Sequence, residues 1–154
     1  MVQTAMSNII TNVKQLVIIT GSLGLLGTNI ARELNNRGFT NLILVDNLRS
    51  SEKWKNLIGL KYESYYEHGE FREKINGAAM TGGYYENCLV VHAGATSATT
   101  EKDAAHLYDN NYRYTTELID WTKKRNGKIV YASSASTYGL GENGYKDDQS
   151  LRYL

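Results

Sequence analysis

The chain has 154 residues, of which 42% are apolar and 21% are charged, and its formal net charge is +1. This composition is typical of one globular domain, and the near-zero charge argues against general binding to nucleic acid or anionic lipid. No apolar run approaches the roughly 18 residues of a membrane span. A single cysteine, Cys88, excludes an internal disulfide and favours a reducing compartment. Residues 1–14 lack the apolar core of a secretory signal, so we interpret them as a loose leader.

Short apolar runs alternate along the chain with stretches that have the periodicity of helices. Strands are predicted at residues 15–20, 41–46, 61–66, 87–93 and 128–132. Helices are predicted at residues 25–37, 70–80 and 99–125. Because strands that alternate with helices are parallel, the pattern predicts an α/β fold with a doubly wound, Rossmann-like parallel sheet. Helices would cover both faces of this sheet, which explains why its strands are apolar runs.

A glycine loop follows the first predicted strand, with Gly21, Gly24 and Gly27 three residues apart. In nucleotide-binding folds, the first glycine permits a tight turn, the second lets the backbone approach a pyrophosphate, and the third lets helix and strand pack closely. The N-terminus of the next helix would offer free N–H groups to the phosphates. Asp46 ends the second strand about 20 residues later, where a carboxylate binds the adenosine ribose. The combination predicts a dinucleotide site; the alternative is an ordinary strand-to-helix turn.

Two dinucleotides fit this pattern. Asp46 favours NAD, because its carboxylate accepts hydrogen bonds from both ribose hydroxyls and repels the 2′-phosphate of NADP. Arg49 and Lys53 lie shortly downstream and would bind that phosphate if Asp46 turned away, although both also fit a solvated loop. The residues alone leave the choice between NAD and NADP open.

Further motifs stand at the ends of two predicted strands. The fourth strand ends in His-Ala-Gly-Ala at 92–95, and the fifth runs into Tyr-Ala-Ser-Ser-Ala-Ser-Thr-Tyr-Gly at 131–139. With the glycine loop and Asp46, these motifs make the chain similar to the extended short-chain dehydrogenase/reductase superfamily. Within it, the runs Asp-Asn-Leu at 46–48, Gly-Ala-Thr-Ser-Ala-Thr-Thr-Glu at 94–101 and Asp-Asn-Asn-Tyr at 109–112 resemble the ADP-L-glycero-D-manno-heptose 6-epimerase family.

This resemblance implies an isomerase that inverts a heptose carbon by transient oxidation, with NADP as cofactor and NAD as the alternative. Asn47 and Lys53 are the residues that favour NADP. Ser134 is implied as a catalytic residue that hydrogen-bonds the reacting oxygen, and its alternative role is to cap the chain after the strand. The implied cofactor-binding residues are Gly21, Gly24, Leu25, Leu26, Gly27, Asp46, Asn47, Lys53, Ala93, Gly94, Ala95, Thr96, Ser97 and Asn110.

In the superfamily, proton transfer depends on a tyrosine and a lysine four residues apart on a helix. None of the 12 tyrosines in this sequence is followed by lysine at that spacing. In the resembled family, the stretch matching residues 147–154 lies a few residues before the pair. We therefore expect residues 15–154 to form an incomplete dinucleotide-binding domain, truncated after the fifth strand, without the C-terminal substrate domain and inactive alone.

Three interpretations of function stand at this point. The first is the cofactor-binding part of a heptose epimerase, the second another nucleotide-sugar epimerase or dehydratase, and the third a non-catalytic NAD(P)-binding regulatory protein. For the first, the resemblance implies an ADP-heptose-type nucleotide sugar as partner, a homo-oligomer when complete, a cytoplasmic location and a role in lipopolysaccharide biosynthesis. No metal site is predicted, because His68, His92 and His106 are too scattered for ligand spacing.

Overall fold

The computed structural model describes residues 12–142, 144 and 145, so residues 1–11 of the predicted leader and the stretch 147–154 lie outside the described part. The strands are β1 (Val17–Thr20), β2 (Leu42–Asp46), β3 (Ser64–Glu67), β4 (Leu89–His92) and β5 (Lys128–Tyr131). The α-helices are α1 (Leu25–Asn36), α2 (His68–Asn76), α3 (Ala104–Leu107) and α4 (Tyr114–Lys123). A π-helix (Tyr108–Arg113) joins α3 to α4, and short 3₁₀ turns occur at Glu52–Leu57, Gly83–Tyr85 and Ala135–Tyr138.

All neighbouring strands are parallel, and their order in the sheet is β3-β2-β1-β4-β5. This order confirms the predicted doubly wound parallel sheet. The chain builds outward from β1 to β3 and then crosses back to place β4 on the other side of β1. Ligands of such sheets bind at the carboxyl ends of the strands where the order reverses. Thr20 pairs with both Val45 and His92, so β1, β2 and β4 end level with one another at this crevice.

The sheet separates two apolar layers, because side chains alternate between its faces along each strand. One face of the three central strands packs under α2 and α4 in a layer that includes Ile18, Phe71 and Leu118. The other face packs under α1, where Ala31 and Leu34 cover Ile19 and its neighbours. Strands β1, β2 and β4 are buried throughout, as expected for strands covered on both faces. These layers hold the carboxyl ends of the central strands in fixed positions.

The long helix predicted at residues 99–125 is the largest difference between expectation and structure. Its first residues are not helical, because the Asp103 side chain accepts a hydrogen bond from the His106 N–H and caps the start of α3. Its middle widens into the π-helix, after which α4 resumes and buries Tyr114, Leu118 and Trp121. The predicted single regular helix is therefore wrong in its start and in its middle.

Strand β3 and helix α2 also have different bounds from those predicted at residues 61–66 and 70–80. β3 begins at Ser64, and α2 follows it directly from His68. Helix α2 buries Phe71 and Ile75, which are one helical turn apart, and ends before Gly77. Among the described residues, no helix combines the length and the apolar character needed to span a membrane.

From the packing under α4, we predict that the same change, leucine to alanine, affects stability differently at a buried and at an exposed position. Leu118 is fully buried among Ile18, Phe71 and Trp121, so Leu118→Ala should lower the free energy of unfolding by about 2–5 kcal/mol. Leu140 is 89% exposed, and Leu140→Ala should change it by less than about 0.5 kcal/mol. Urea denaturation of both variants measures the two values, and equal losses would contradict this assignment of the core.

Candidate functional site

A cleft of about 610 Å³ lies at the carboxyl ends of the central strands. It is bounded by the glycine loop after β1, the loop after β2, the start of α2 and the loop after β4. The residues that line it include the following predicted cofactor-binding residues: Gly21, Gly24, Leu25, Leu26, Gly27, Asp46, Asn47, Lys53, Ala93, Gly94, Ala95, Thr96, Ser97 and Asn110. The structure thus brings every one of these residues together around one cleft.

The glycine loop packs directly against the loop after β4. Gly21 has a φ of +66°, and a Cβ on Gly21 would lie 2.6 Å from the Gly94 Cα. A Cβ on Gly27 would overlap the Gly21 carbonyl oxygen and lie 2.6 Å from the Ser22 Cα. Gly24, at the N-cap of α1, has no side chain to occupy the first N–H groups of the helix. The loop therefore exposes the positive end of a 12-residue helix to the cleft.

Asp46 carries the negative charge at the end of β2, and three donors hold it. The Leu23 N–H donates to its Oδ2 at 2.8 Å, and the Asn47 N–H donates to its Oδ1 at 2.7 Å. The Lys53 ammonium also donates to Oδ1, at 2.9 Å. A carboxylate offers about four acceptor positions, so these bonds leave Asp46 room for about one further donor. The two ribose hydroxyls expected from the sequence would therefore have to displace one of the present partners.

The loop after β2 is tied to the neighbouring strand. The Leu48 N–H donates to the Glu67 carboxylate, and the Tyr65 hydroxyl lies 2.9 Å from that carboxylate and 3.1 Å from the Asp46 carbonyl oxygen. Burial, with the adjacent Glu67 carboxylate, raises the pKa of Tyr65. The phenol therefore stays protonated, and it holds the end of β3 against the loop that carries Asp46 and Asn47.

His92 connects the end of β4 to both sides of the cleft. The Thr115 hydroxyl donates to the Asn111 carbonyl at 2.7 Å, so it accepts from His92 Nε2, which lies 2.9 Å away. His92 Nδ1 is then unprotonated and accepts from the Thr20 hydroxyl at 2.5 Å. Burial is the main cause that lowers the pKa of His92 to about 4. The imidazole is therefore neutral at pH 7 and links β1, β4 and the first turn of α4.

The segment after β4 is held by side-chain amides from the π-helix. The Asn111 side chain accepts from the Thr96 N–H at 2.8 Å and donates to the Thr96 carbonyl at 3.0 Å. Asn110 donates to the Thr96 hydroxyl at 3.2 Å, and His106 Nε2 lies 2.9 Å from the same hydroxyl. Thr96 is thus bonded through both its backbone and its side chain. Of the two asparagines, only Asn110 was expected at the site from the sequence.

Ser134 lies outside the residues that line the cleft. It is exposed, and its hydroxyl accepts from the Ser136 N–H at 3.2 Å at the start of the turn Ala135–Tyr138. This is the capping role given above as its alternative. The preceding strand, β5, is the edge strand of the sheet within the described part of the chain, and Val130 and Tyr131 are exposed there. A catalytic role for Ser134 stays a prediction.

Several lining residues were not expected from the sequence: Thr20, His68, Glu101, His106 and Tyr114. His68 directly follows β3 at the same edge of the sheet as Asp46, so the rule that parallel strands meet at their carboxyl ends could have found it. His68 Nε2 and the Tyr114 hydroxyl are buried and have no hydrogen-bond partner in the part of the chain that the structure describes. Within that same part, no group of three or more His, Cys, Asp or Glu side chains could hold a metal ion.

The fold and the position of the cleft define a Rossmann-like doubly wound domain with a polar crevice at its switch point. The sequence profile described as "NAD dependent epimerase/dehydratase family" matches residues 17–153. The chain belongs to this family.

Within the family, the chain is similar to several individual proteins. The chain is 36% identical over 138 residues to ADP-L-glycero-D-manno-heptose-6-epimerase of Brachyspira hyodysenteriae, covering 90% of this chain and 43% of that protein. It is 39% identical over 143 residues to the enzyme of the same name from Fusobacterium nucleatum, covering 90% and 41%. The crystal structure of the Bordetella bronchiseptica enzyme WbmF in complex with NAD⁺ matches with a TM-score of 0.65 and 21% identity, over 92% of this chain and 40% of that one. The chain therefore spans about two fifths of the length of these relatives.

Because Gly27 is closely packed, we predict that adding one methyl group there lowers the stability of the fold. Gly27→Ala would force a Cβ against the Gly21 carbonyl and the Ser22 Cα, and overpacking of this kind costs about 1–3 kcal/mol. Gly69→Ala is the matched control, because Gly69 lies in α2 with no atom within 4 Å of an added Cβ. Thermal unfolding should show a lower midpoint only for the Gly27 variant. A midpoint unchanged by Gly27→Ala would contradict the described packing.

His92 predicts a loss of stability on acidification. Its folded-state pKa is about 4 against an ordinary 6.5, so the unfolded chain binds a proton first as the pH falls. The neutral His92 side chain contributes about 3 kcal/mol to the free energy of unfolding. This contribution is complete above about pH 6.5 and is lost as the pH falls from 6.5 to 4. Urea denaturation across this range should show the decline in the wild type and a much smaller decline in His92→Gln. The pKa of His68 is lowered mainly by burial, so a smaller slope of the same sign should persist.

The control for this experiment is Thr115→Val, which removes the partner hydroxyl of His92 and retains the imidazole. Its stability should still decline between pH 6.5 and 4. An unchanged slope in His92→Gln would show that His92 does not cause the decline.

Proposed function

We propose that this chain is the cofactor-binding part of an ADP-L-glycero-D-manno-heptose 6-epimerase. The observation that carries the proposal is the glycine loop packed on Gly94, which aims the N-terminus of α1 into a cleft next to Asp46. The identity of 36–39% to enzymes of that name supports the same assignment. In the proposed arrangement, the pyrophosphate lies on the glycine loop and the adenosine lies beside the end of β2.

The nicotinamide end of the dinucleotide would then lie along residues 93–97, on the far side of the glycine loop. Gly94 lets the two backbones approach, and Leu25 and Leu26 offer exposed apolar surface at the first turn of α1. Thr96 presents a hydroxyl whose position is set by Asn110 and Asn111. These residues supply the orientation and the polar groups that a bound cofactor and a sugar substrate require.

We infer NADP as the preferred cofactor, with NAD as the alternative. Lys53 pairs with Asp46 and is itself 44% exposed, so the carboxylate is neutralised while the ammonium still reaches the cleft. Arg49 and Ser51 line the same end. A 2′-phosphate placed there would meet two cations rather than an unpaired carboxylate. The relative WbmF was solved with NAD⁺, which supports a dinucleotide and does not distinguish the two.

When bound, the nicotinamide supplies a hydride acceptor and donor for the transient oxidation of the sugar. The chain's own residues would bind and orient the dinucleotide and exclude water from the cleft. Ser134 is proposed to hydrogen-bond the reacting oxygen. The 154 residues contain no Tyr-x-x-x-Lys pair, so we propose that this chain alone has no epimerase activity. We further propose residues 15–154 as one incomplete domain, an ADP-heptose-type partner, a homo-oligomer for the intact enzyme and a cytoplasmic location.

A second candidate is a non-catalytic NAD(P)-binding regulatory protein, in which the same cleft would bind a dinucleotide without turnover. Turnover of ADP-heptose by the longer protein that contains this chain would support the epimerase, and dinucleotide binding without turnover by that protein would support the regulatory alternative. Turnover of a different nucleotide sugar would assign the chain to another epimerase or dehydratase of the superfamily. Turnover by the 154-residue chain alone would contradict the proposal that it is inactive.

Because Lys53 pairs with Asp46 at the edge of the cleft, we predict that Lys53 contributes to binding NADP more than to binding NAD. Lys53→Met should weaken NADP binding about tenfold, since a charge-assisted contact to phosphate contributes on the order of 1–2 kcal/mol. NAD binding should change much less. Lys55→Met is the matched control, because Lys55 pairs with Glu52 and does not line the cleft. Isothermal titration at high protein concentration measures the affinities of the wild type and both variants for each dinucleotide. An equal loss for both dinucleotides in Lys53→Met would contradict a 2′-phosphate site at Lys53.

A further inference from the structure

Arg72 makes the most extensive ion-pair contacts that the structure describes. It lies on α2 with a side chain only 19% exposed. Its guanidinium donates to both oxygens of Asp109, at 2.6 and 2.9 Å, and to both oxygens of Glu117, at 2.7 and 2.9 Å. Two bidentate contacts of this kind fix the orientation of both carboxylates, because the guanidinium is a rigid planar fork. These hydrogen bonds hold the pKa of Asp109 at about 2.

The two carboxylates lie on opposite sides of the irregular turn. Asp109 is the second residue of the π-helix, and Glu117 lies in the first turn of α4 that follows it. A π-helix has one extra residue per turn and is rare in isolation, so it depends on contacts from outside the segment. Arg72 provides such contacts to both sides of the wide turn from a neighbouring helix. The Arg72 side chain therefore contacts the residues on both sides of the wide turn.

The residues inside this span are the ones that reach the cleft. Asn110 and Asn111 immediately follow Asp109, and their amides bind the hydroxyl and the backbone of Thr96. One inserted residue rotates the residues that follow it by about 100° relative to their positions in a regular α-helix. Both amides bind Thr96 from within the wide turn.

We propose that Arg72 is a positioning residue for the cleft: by holding Asp109 and Glu117, it maintains the π-helix that sets Asn110 and Asn111 against Thr96. Its consequence for ligand binding rests on the proposed function, because Thr96 and Asn110 line the part of the cleft assigned to the nicotinamide and substrate. Arg72 itself does not line the cleft. Its effect is transmitted through the π-helix.

A second buried arginine in the same layer offers a matched control. Arg125 is 8% exposed, donates to the Trp121 and Met80 carbonyls, and stacks over the Trp121 ring. It lies beyond the C-terminal end of α4, on the side away from the π-helix. Arg125→Met removes a buried, hydrogen-bonded guanidinium as Arg72→Met does. Loss of stability is common to the two variants, whereas loss of the π-helix contacts is specific to Arg72.

The experiment compares the side-chain amide signals of Asn110 and Asn111 in ¹⁵N-resolved NMR spectra of the 154-residue chain. In Arg72→Met these signals should move toward free-asparagine positions and exchange faster with solvent, while in Arg125→Met they should stay at the wild-type positions. Affinity for NADP and NAD should fall about tenfold in Arg72→Met, since the loss of a charge-assisted hydrogen bond has effects of that order. Arg72→Lys, which offers a point charge without the fork, should give an intermediate result.

Unchanged asparagine signals in Arg72→Met, or equal changes in Arg125→Met, would overturn the proposal. If Arg72→Met does not fold, Asp109→Asn decides the question, since it keeps the Arg72–Glu117 pair and weakens the bidentate link from Arg72 to the start of the π-helix. It also weakens the longer ion pair between Asp109 and Arg113, at 3.5 Å. That variant should shift the same asparagine signals and lower dinucleotide affinity severalfold, and unchanged signals there would also overturn it. A wild-type chain that binds neither dinucleotide would refute the proposed function, while the asparagine signals would still decide the role of Arg72.

Discussion

The whole cleft depends on the close approach of two backbones at the carboxyl ends of β1 and β4. Gly21 lies so near Gly94 that it has no room for a Cβ, a Cβ on Gly94 would be tightly packed at 3.0 Å from the Gly21 nitrogen, and Gly27 packs on Gly21 from the helix side. The hydrogen bond from Thr20 to His92 joins the same two strand ends beneath the glycines. This contact brings the glycine loop and the segment after β4 together at one crevice, and it leaves the backbone of both free to meet a ligand.

Charged groups of both signs lie around the cleft that this backbone contact forms. The positive end of α1 faces the crevice, and Asp46 is held beside it by the Leu23 and Asn47 N–H groups. Lys53 adds a counter-charge that remains partly exposed. A buried carboxylate is stable only when donors and opposite charges surround it. The same donors that stabilise Asp46 therefore leave its carboxylate little capacity to accept further hydrogen bonds from a ligand.

The two ends of the cleft are built differently. The end at β2 is held directly by hydrogen bonds to the neighbouring strand β3, through Tyr65 and Glu67. The end at β4 depends on two successive sets of contacts, because Thr96 is bound by the π-helix and the π-helix is bound by Arg72 from α2. Changes in α2 can therefore alter one end of the cleft and leave the other unchanged, which separates the part that would hold adenosine from the part that would hold the reacting groups.

The parallel α/β fold, the glycine loop and many of the residues that line the cleft were predictable from the sequence, because buried strands, glycine spacing and strand-end residues follow local rules. His68, Glu101 and His106 line the same cleft and were not predicted. The sequence also placed Asp46 correctly at the end of β2. It did not predict the π-helix, since Leu107, Tyr114 and Leu118 keep nearly helical spacing across the insertion. The partners of Asp46, the protonation of His92 and the contacts of Asn110 and Asn111 with Thr96 emerge only when the chain is folded. Those properties depend on contacts between segments distant in the chain, such as Arg72 with Glu117 and Thr20 with His92, and residue spacing carries no information about such contacts.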